Sequence, residues 1–194
     1  MKRIILLSLI ASALITESCS RKVTRVNPDK QIDLSGRWND VDSRMVADEI
    51  TKQVLGEKWL NNFSAAHPGK KPVVIVGFVD NKSHEHIEAE TFVKDIEIAF
   101  VNSGLVTLVQ GGTKRQEIRG ERTDQQDNAS QSTMKKWGLE MGADFMMQGD
   151  INSIVDSYKR DKVVFYKINL ELTNIQSNEV VWIGDKELKK EIRN

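Results

Sequence analysis

One cysteine and three histidines are the only thiol and imidazole groups in this 194-residue chain, and their positions limit what each can do. Cys19 directly follows an apolar run, Ile4 to Ile15, which is interrupted only by Ser8 and Ser12 and preceded by Lys2-Arg3. A positive start, an apolar stretch well short of the roughly 20 residues that span a bilayer, and a small residue before the thiol mark an export signal ending at a lipid-modified cysteine. With no second cysteine, no intramolecular disulfide can form. The Cys19 thiol therefore reads as the attachment point for fatty acyl chains of the palmitate class. Thr16-Glu17 departs from the usual residues of a lipobox, and an ordinary secretory signal with a coincidental cysteine is the competing reading.

The histidines are His67, His84 and His86. His84 and His86, with Glu85 and Glu88 beside them, have the spacing of a weak metal pair. Structural zinc needs four ligands, and no third or fourth residue follows at suitable spacing, so the segment reads as a solvated loop. No serine sits in a G-x-S-x-G turn, and neither G-x-x-x-x-G-K-[ST] nor G-x-G-x-x-G occurs. Gly111-Gly112-Thr113-Lys114 has phosphate-loop composition without the spacing, and reads as a plain strand-to-helix turn. Asp80, Glu117 and Glu121 read as solvated surface charge. The expectation is a protein with no catalytic residue, no metal and no cofactor.

What remains is binding. Arginine and tryptophan are favoured anchors of protein interfaces. Arg37-Trp38 lies in a loop-like segment beside Gly36, with a core-covering role for Trp38 as the alternative. Arg115, Arg119 and Arg122 share a polar stretch with Glu117 and Glu121. These five residues, Arg37, Trp38, Arg115, Arg119 and Arg122, are the candidate partner-binding set. Charge narrows the partner. The chain has 28 basic and 28 acidic residues, and without Lys2, Arg3 and Glu17 of the signal it keeps 26 and 27. Near neutrality argues against a nucleic-acid partner or a polybasic membrane contact, both of which need clustered positive charge.

The elements that must position these residues follow from periodicity. Residues 1–18 are the signal and 19–31 a polar tether, which reaches at most roughly 45 Å when fully extended. Residues 32–194 form one domain. Ile32 to Asn39 alternates and leads to a helix capped by Asp40 or Asp42, with Val46, Ile50 and Val54 on one face and a stop near Gly56. Trp59, Leu60 and Phe63 continue it before His67-Pro68-Gly69. Val73 to Val79 is an unbroken apolar run, expected to be a strand buried on both faces. A helix from Ile87 to Asn102 follows, then a strand from Leu105 to Val109, which together make a βαβ unit with parallel strands. Thr113 to Ser132 reads as a solvated helix with a loop, and helical pattern returns at Met134, Trp137, Gly138 and Met141. Ala143 to Tyr158 is strand-like, Lys159 to Lys162 a turn, and Val163 to Thr173 alternates with Tyr166, Ile168, Leu170 and Leu172 on one face. Val180 to Gly184 is the last strand. The fold class is α/β: a two-layer domain whose mixed sheet joins a βαβ unit to an antiparallel meander, packed by helices.

Three segments, in this order, carry a resemblance. Leu34-Ser35-Gly36-Arg37-Trp38-Asn39-Asp40, Gly142-Ala143-Asp144-Phe145-Met146-Met147-Gln148-Gly149-Asp150-Ile151 and Glu179-Val180-Val181-Trp182 resemble signatures of the LpoB family of outer-membrane lipoproteins. The polar stretch from Gln116 to Gln126 fits the same pattern. The resemblance implies a fold related to the N-terminal domain of TolB. It also implies a periplasm-facing activator, anchored to the outer membrane by Cys19, that docks on a class A penicillin-binding protein and stimulates peptidoglycan synthesis without chemistry of its own. The family's long proline-rich tether is replaced here by a short, proline-poor one. A structural or assembly lipoprotein of another envelope or secretion complex is the alternative.

Overall fold

Asn39, rather than Asp40 or Asp42, starts the first helix of the computed structural model, which describes residues 23–130 and 140–193. The Asn39 carboxamide accepts the N–H groups of Val41 and Asp42 at 3.0 and 3.3 Å, and the Asp42 carboxylate accepts the Asn39 N–H at 2.8 Å. Each side chain thus satisfies a donor that the helix leaves unpaired, and the sequence-level expectation missed Asn39 because Asp42 serves the same box from its inner end. The helix, α1, spans Asp40–Gly56, and α2 follows as Lys58–Ala66.

Strand β1 is Val73–Asn81, α3 is Glu90–Ser103, β2 is Thr107–Leu108 and α4 is Gly112–Asn128. Strands β3 (Phe145–Tyr158), β4 (Asp161–Asn174) and β5 (Val180–Ile192) complete one sheet in the order β2-β1-β3-β4-β5. β1 runs parallel to both β2 and β3, whereas β3/β4 and β4/β5 are antiparallel. The α/β class, the mixed sheet and the meander are therefore those read from the sequence. The described residues from Ile32 onward form one compact unit.

Alternation in β4 decides which side of the sheet becomes the core. Val164, Tyr166, Ile168, Leu170 and Leu172 are all buried, and their cross-strand partners Met147, Ile151, Trp182 and Leu188 are buried with them. Val46, Ile50 and Val54 of α1 and Phe92, Ile96 and Phe100 of α3 close this core from above. Burying each such side chain contributes about 1.5–3 kcal/mol. Trp59 and Phe63 of α2 set their rings edge-on to Phe145 at 5.3 and 5.8 Å, and the Trp59 indole donates to the Val54 carbonyl at 2.7 Å.

Several boundaries differ from expectation, each for a visible reason. β1 is buried on both faces only at Val74 and Ile75: a bulge between Val76 and Val79 breaks its register with β3 and leaves Phe78 74% exposed. α3 begins at Glu90 because the Asn81 carboxamide donates to the carbonyls of Glu85 and Ile87, which holds 82–89 as a loop with Ile87 buried beneath it. β2 is shorter than Leu105 to Val109. Gly104 ends α3 at φ +65°, so Leu105 is still in the turn, although the Val109 N–H bonds to the Val74 carbonyl at 3.0 Å. β5 continues eight residues past Gly184, where its charged sequence hides an alternation that turns Leu188 and Lys190 inward. The helical pattern at Met134, Trp137 and Gly138 lies outside the described residues; Met141 and Gly142 are not helical. The outer edge of β5 is occupied at one point: the Gln53 carboxamide donates to the Asp185 carbonyl at 3.0 Å and accepts its N–H at 3.2 Å, standing in for a neighbouring strand.

Candidate functional site

The candidate partner-binding residues fall into two clusters at opposite edges of the sheet. The first gathers around Tyr166 and Lys190. Trp38, held just before α1, sets its ring 5.5 Å from Tyr166, edge to face, and 6.5 Å from Phe92. Its indole donates to Ser43 Oγ at 2.9 Å and its backbone N–H to Glu85 Oε2 at 3.0 Å. Trp38 is thus a cover on the core, fastened by two hydrogen bonds. Arg37 beside it is exposed, and its carbonyl accepts from Lys190 Nζ at 2.9 Å. The same ammonium reaches Asp42 at 2.6 Å and Asp33 at 3.3 Å. Asp42 is buried, so this contact is the compensation that lets its charge leave water.

Sequence reasoning noticed His84 and Glu85 only as a weak metal pair and missed Ser153, which the fold brings to them. His84 Nδ1 lies 2.7 Å from Ser153 Oγ, His84 Nε2 lies 3.2 Å from Glu85 Oε1, and the imidazole stacks over Tyr166 at 6.1 Å. Serine, histidine and carboxylate in series have the contacts of an acyl-transfer triad. Such a reaction also needs N–H donors for the developing oxyanion, and the His84 backbone N–H is already spent on Ser153 Oγ at 3.0 Å. The chain of contacts instead ties the 82–89 loop to β3 and β4. Burial pushes the Tyr166 phenol well above its ordinary pKa, with Glu85 adding to the effect.

The second cluster belongs to α4. No residue of this helix is buried, and its N-cap, Gly111, offers no side chain to the first turn. Arg115, Arg119 and Arg122 line one face, because spacings of four and three residues return to the same side of a helix. All three converge on Glu140: Arg119 makes two contacts at 2.9 and 3.0 Å, Arg122 one at 3.1 Å, and Arg115 approaches to 3.9 Å. The Arg119 hydrogen bonds, reinforced by the charges of Arg119, Arg122 and Arg115, hold the Glu140 carboxyl below the usual carboxylate range. Three guanidiniums against one carboxylate leave an excess of two positive charges. Glu117 and Glu121 lie on the other side of the helix, by the same spacing rule.

The remaining candidates resolve plainly. His84 and His86 take different partners, the latter contacting Glu88 at 2.6 Å, and the described residues contain no group of three or more His, Cys, Asp or Glu placed to hold a metal ion. Gly111 and Gly112 form a strand-to-helix turn: Gly112 has φ +53°, and a Cβ on Gly111 would meet Ile75 at 3.0 Å. Asp80 is exposed on the sheet face away from α1 and α3. Among the described residues no helix is long and apolar enough to cross a membrane, and Cys19 lies outside them.

Comparison with known proteins gives the geometry a context. No curated protein matches the sequence. Among solved structures, the LpoB C-terminal domain from Salmonella enterica shares 16% identity at a TM-score of 0.42, covering 76% of this chain and 98% of that one. The LpoB C-terminal domain from Escherichia coli gives 16% identity and a TM-score of 0.42 over 79% and 99%. Lipoprotein GNA1162 from Neisseria meningitidis gives 9% and 0.40 over 64% and 86%. A family model described as the peptidoglycan-synthase activator LpoB matches residues 42–188, a stretch that runs from the capping box of α1 to the buried Leu188 of β5. The chain belongs to the LpoB family of peptidoglycan-synthase activators.

Proposed function

We propose that this protein is an outer-membrane lipoprotein, anchored through acyl chains on Cys19 and facing the periplasm, that binds a class A penicillin-binding protein and stimulates its synthesis of peptidoglycan. The observation that carries this reading is the family match over residues 42–188, which takes in most of the globular unit. Near-neutral charge is consistent with a protein partner rather than a nucleic acid. Several acyl chains on one N-terminus hold a protein at a bilayer where a single chain does not.

In this reading the globular unit is the effector and residues 19–31 set its reach. Arg115, Arg119 and Arg122 present the strongest excess of positive charge at one docking edge, and Arg37 sits at the other. Trp38 serves that edge from inside, by fixing the backbone that displays Arg37.

The test is a glycan-polymerisation assay with a purified class A penicillin-binding protein, its lipid-linked precursor and this protein carrying Cys19→Ala. The expected result is a several-fold rise in rate that saturates with added protein. An unchanged rate with a demonstrably folded protein would sink the proposal. Radiolabelled palmitate should enter the natural chain in cells and not the Cys19→Ala chain.

A further inference from the structure

The face of the sheet that α1 and α3 leave open carries a feature that packing does not explain. Simple alternation along β1 would send Phe78 toward the core, in step with Val74 and Val76. Instead the register shift between Val76 and Val79 places Gly77 and Phe78 opposite a single step of β3, so that Val79 takes the core position and Phe78 stands 74% exposed. A Cβ on Gly77 would already touch Gln148 Cγ and the Met147 carbonyl at 3.2 Å, so the bulge lies tight against β3. Bulges bend a strand and re-aim a side chain, and here the re-aimed residue is a phenylalanine turned to solvent. Across the sheet on the same face, Ile183 of β5 is 68% exposed.

Between these two apolar side chains runs a groove of about 380 Å³ whose floor includes Asp80, Asp150, Asn169 and Glu171. Lys82 pairs with Asp150 at 3.0 Å. Burial opposes the charge on Asp150, but hydrogen bonds from Asn169, Lys82 and Asn152 outweigh it and hold the carboxyl below its ordinary value. Asp80 and Glu171 have no ion-pair partner among the described residues. The groove is thus apolar at both ends and carries an excess of two negative charges between them.

We infer that this open sheet face is a docking surface for a protein segment that presents an arginine or lysine between apolar side chains. Charge complementarity selects the segment: its cation meets Asp80 and Glu171, while its flanking apolar groups cover Phe78 and Ile183. Resting on the function proposed above, the segment is assigned to the synthase, and this face rather than either arginine edge takes the larger share of the contact. Fully desolvated apolar anchors at the centre of an interface carry more binding energy than charges at its rim.

Two measurements test this, both on the full chain from residue 19 carrying Cys19→Ser. In the first, amide resonances are followed while an extended peptide alternating arginine and leucine is added, with a glutamate–leucine peptide as control. Shifts at Phe78, Asn169, Glu171 and Ile183 with the first peptide only are expected; no shift on this face overturns the surface. In the second, affinity for a class A penicillin-binding protein is compared among the Cys19→Ser chain, Phe78→Ser and Glu171→Lys. Each substitution should weaken binding at least tenfold with an unchanged melting temperature. Binding by the parent chain that neither substitution alters overturns the assignment to the synthase and leaves the proposed function standing. Peptide shifts without any synthase binding reverse that outcome, keeping the surface and removing the proposed function.

Discussion

Helices α1 and α4 are each 17 residues long, and they differ in nearly everything that fixes a helix in place. α1 opens on a reciprocal capping box and buries Val46, Ile50 and Val54 completely. α4 has no side-chain cap and no buried residue, and is fastened by an Arg115 bond to the Gln110 carbonyl and by the convergence on Glu140. A helix that is polar all round takes no stability from an apolar face, so α4 depends on charge. The contrast separates two kinds of surface in one domain: an interior that sets the fold and an exterior arm that opens at little free-energy cost.

Four experiments would break or sharpen that contrast. The largest effect is expected from Phe92→Ala, which empties a fully buried site between α1 and the sheet; urea unfolding should show a loss of about 3–5 kcal/mol. Lys190→Met is next. It leaves the Asp42 carboxylate buried without its ammonium, and should cost about 2 kcal/mol in the same assay, a loss that Asp42→Asn in the double variant largely recovers. Asn39→Ala removes the α1 cap and should cost about 1 kcal/mol.

The smallest global effect belongs to Arg119→Ala, with an unchanged melting temperature but faster amide exchange throughout α4. Salt and acid should reproduce it. At 1 M salt the screening length falls to about 3 Å, and exposed ion pairs weaken. Because the folded Glu140 carboxyl is held below its ordinary value, its contribution is present above the ordinary carboxylate range and is lost as pH falls through the folded value. Protection of the α4 amides, measured against their intrinsic exchange rates, should therefore fall as pH drops below the ordinary carboxylate range, while α1 stays protected. Equal protection of α1 and α4 under those conditions would end the comparison.

How much of this was legible in the sequence depended on whether a residue's role was local. The β4 alternation, the α1 stripe and the hairpin turn at Lys159 follow from period and composition, since each is set by neighbours in the chain. β5 beyond Gly184 was not legible, because Lys186 to Lys190 reads as a solvated tail unless one knows that Asp42 waits for Lys190. Phe78 read as core for the opposite reason: its neighbours are all apolar, and only the mismatch with β3 turns it outward. The arginines of α4 were visible as a group, but their common partner comes 18 or more residues later. The link from His84 to Ser153 spans 69 residues and left no pattern at all.

The Lys190 contacts have a mechanical meaning. Lys190 on the edge strand β5 ties down the segment before α1 at Asp33 and at the Arg37 carbonyl, and Asn39 also donates to Asp33. A pull along the chain therefore loads an electrostatic latch before it loads any helix. If the latch gives way, residues 33–37 can straighten, to a span of at most roughly 17 Å. The domain would extend its range by that step while its core stays folded. A force–extension trace of the chain pulled from Cys19 should show the step, and the Lys190→Met chain should lack it.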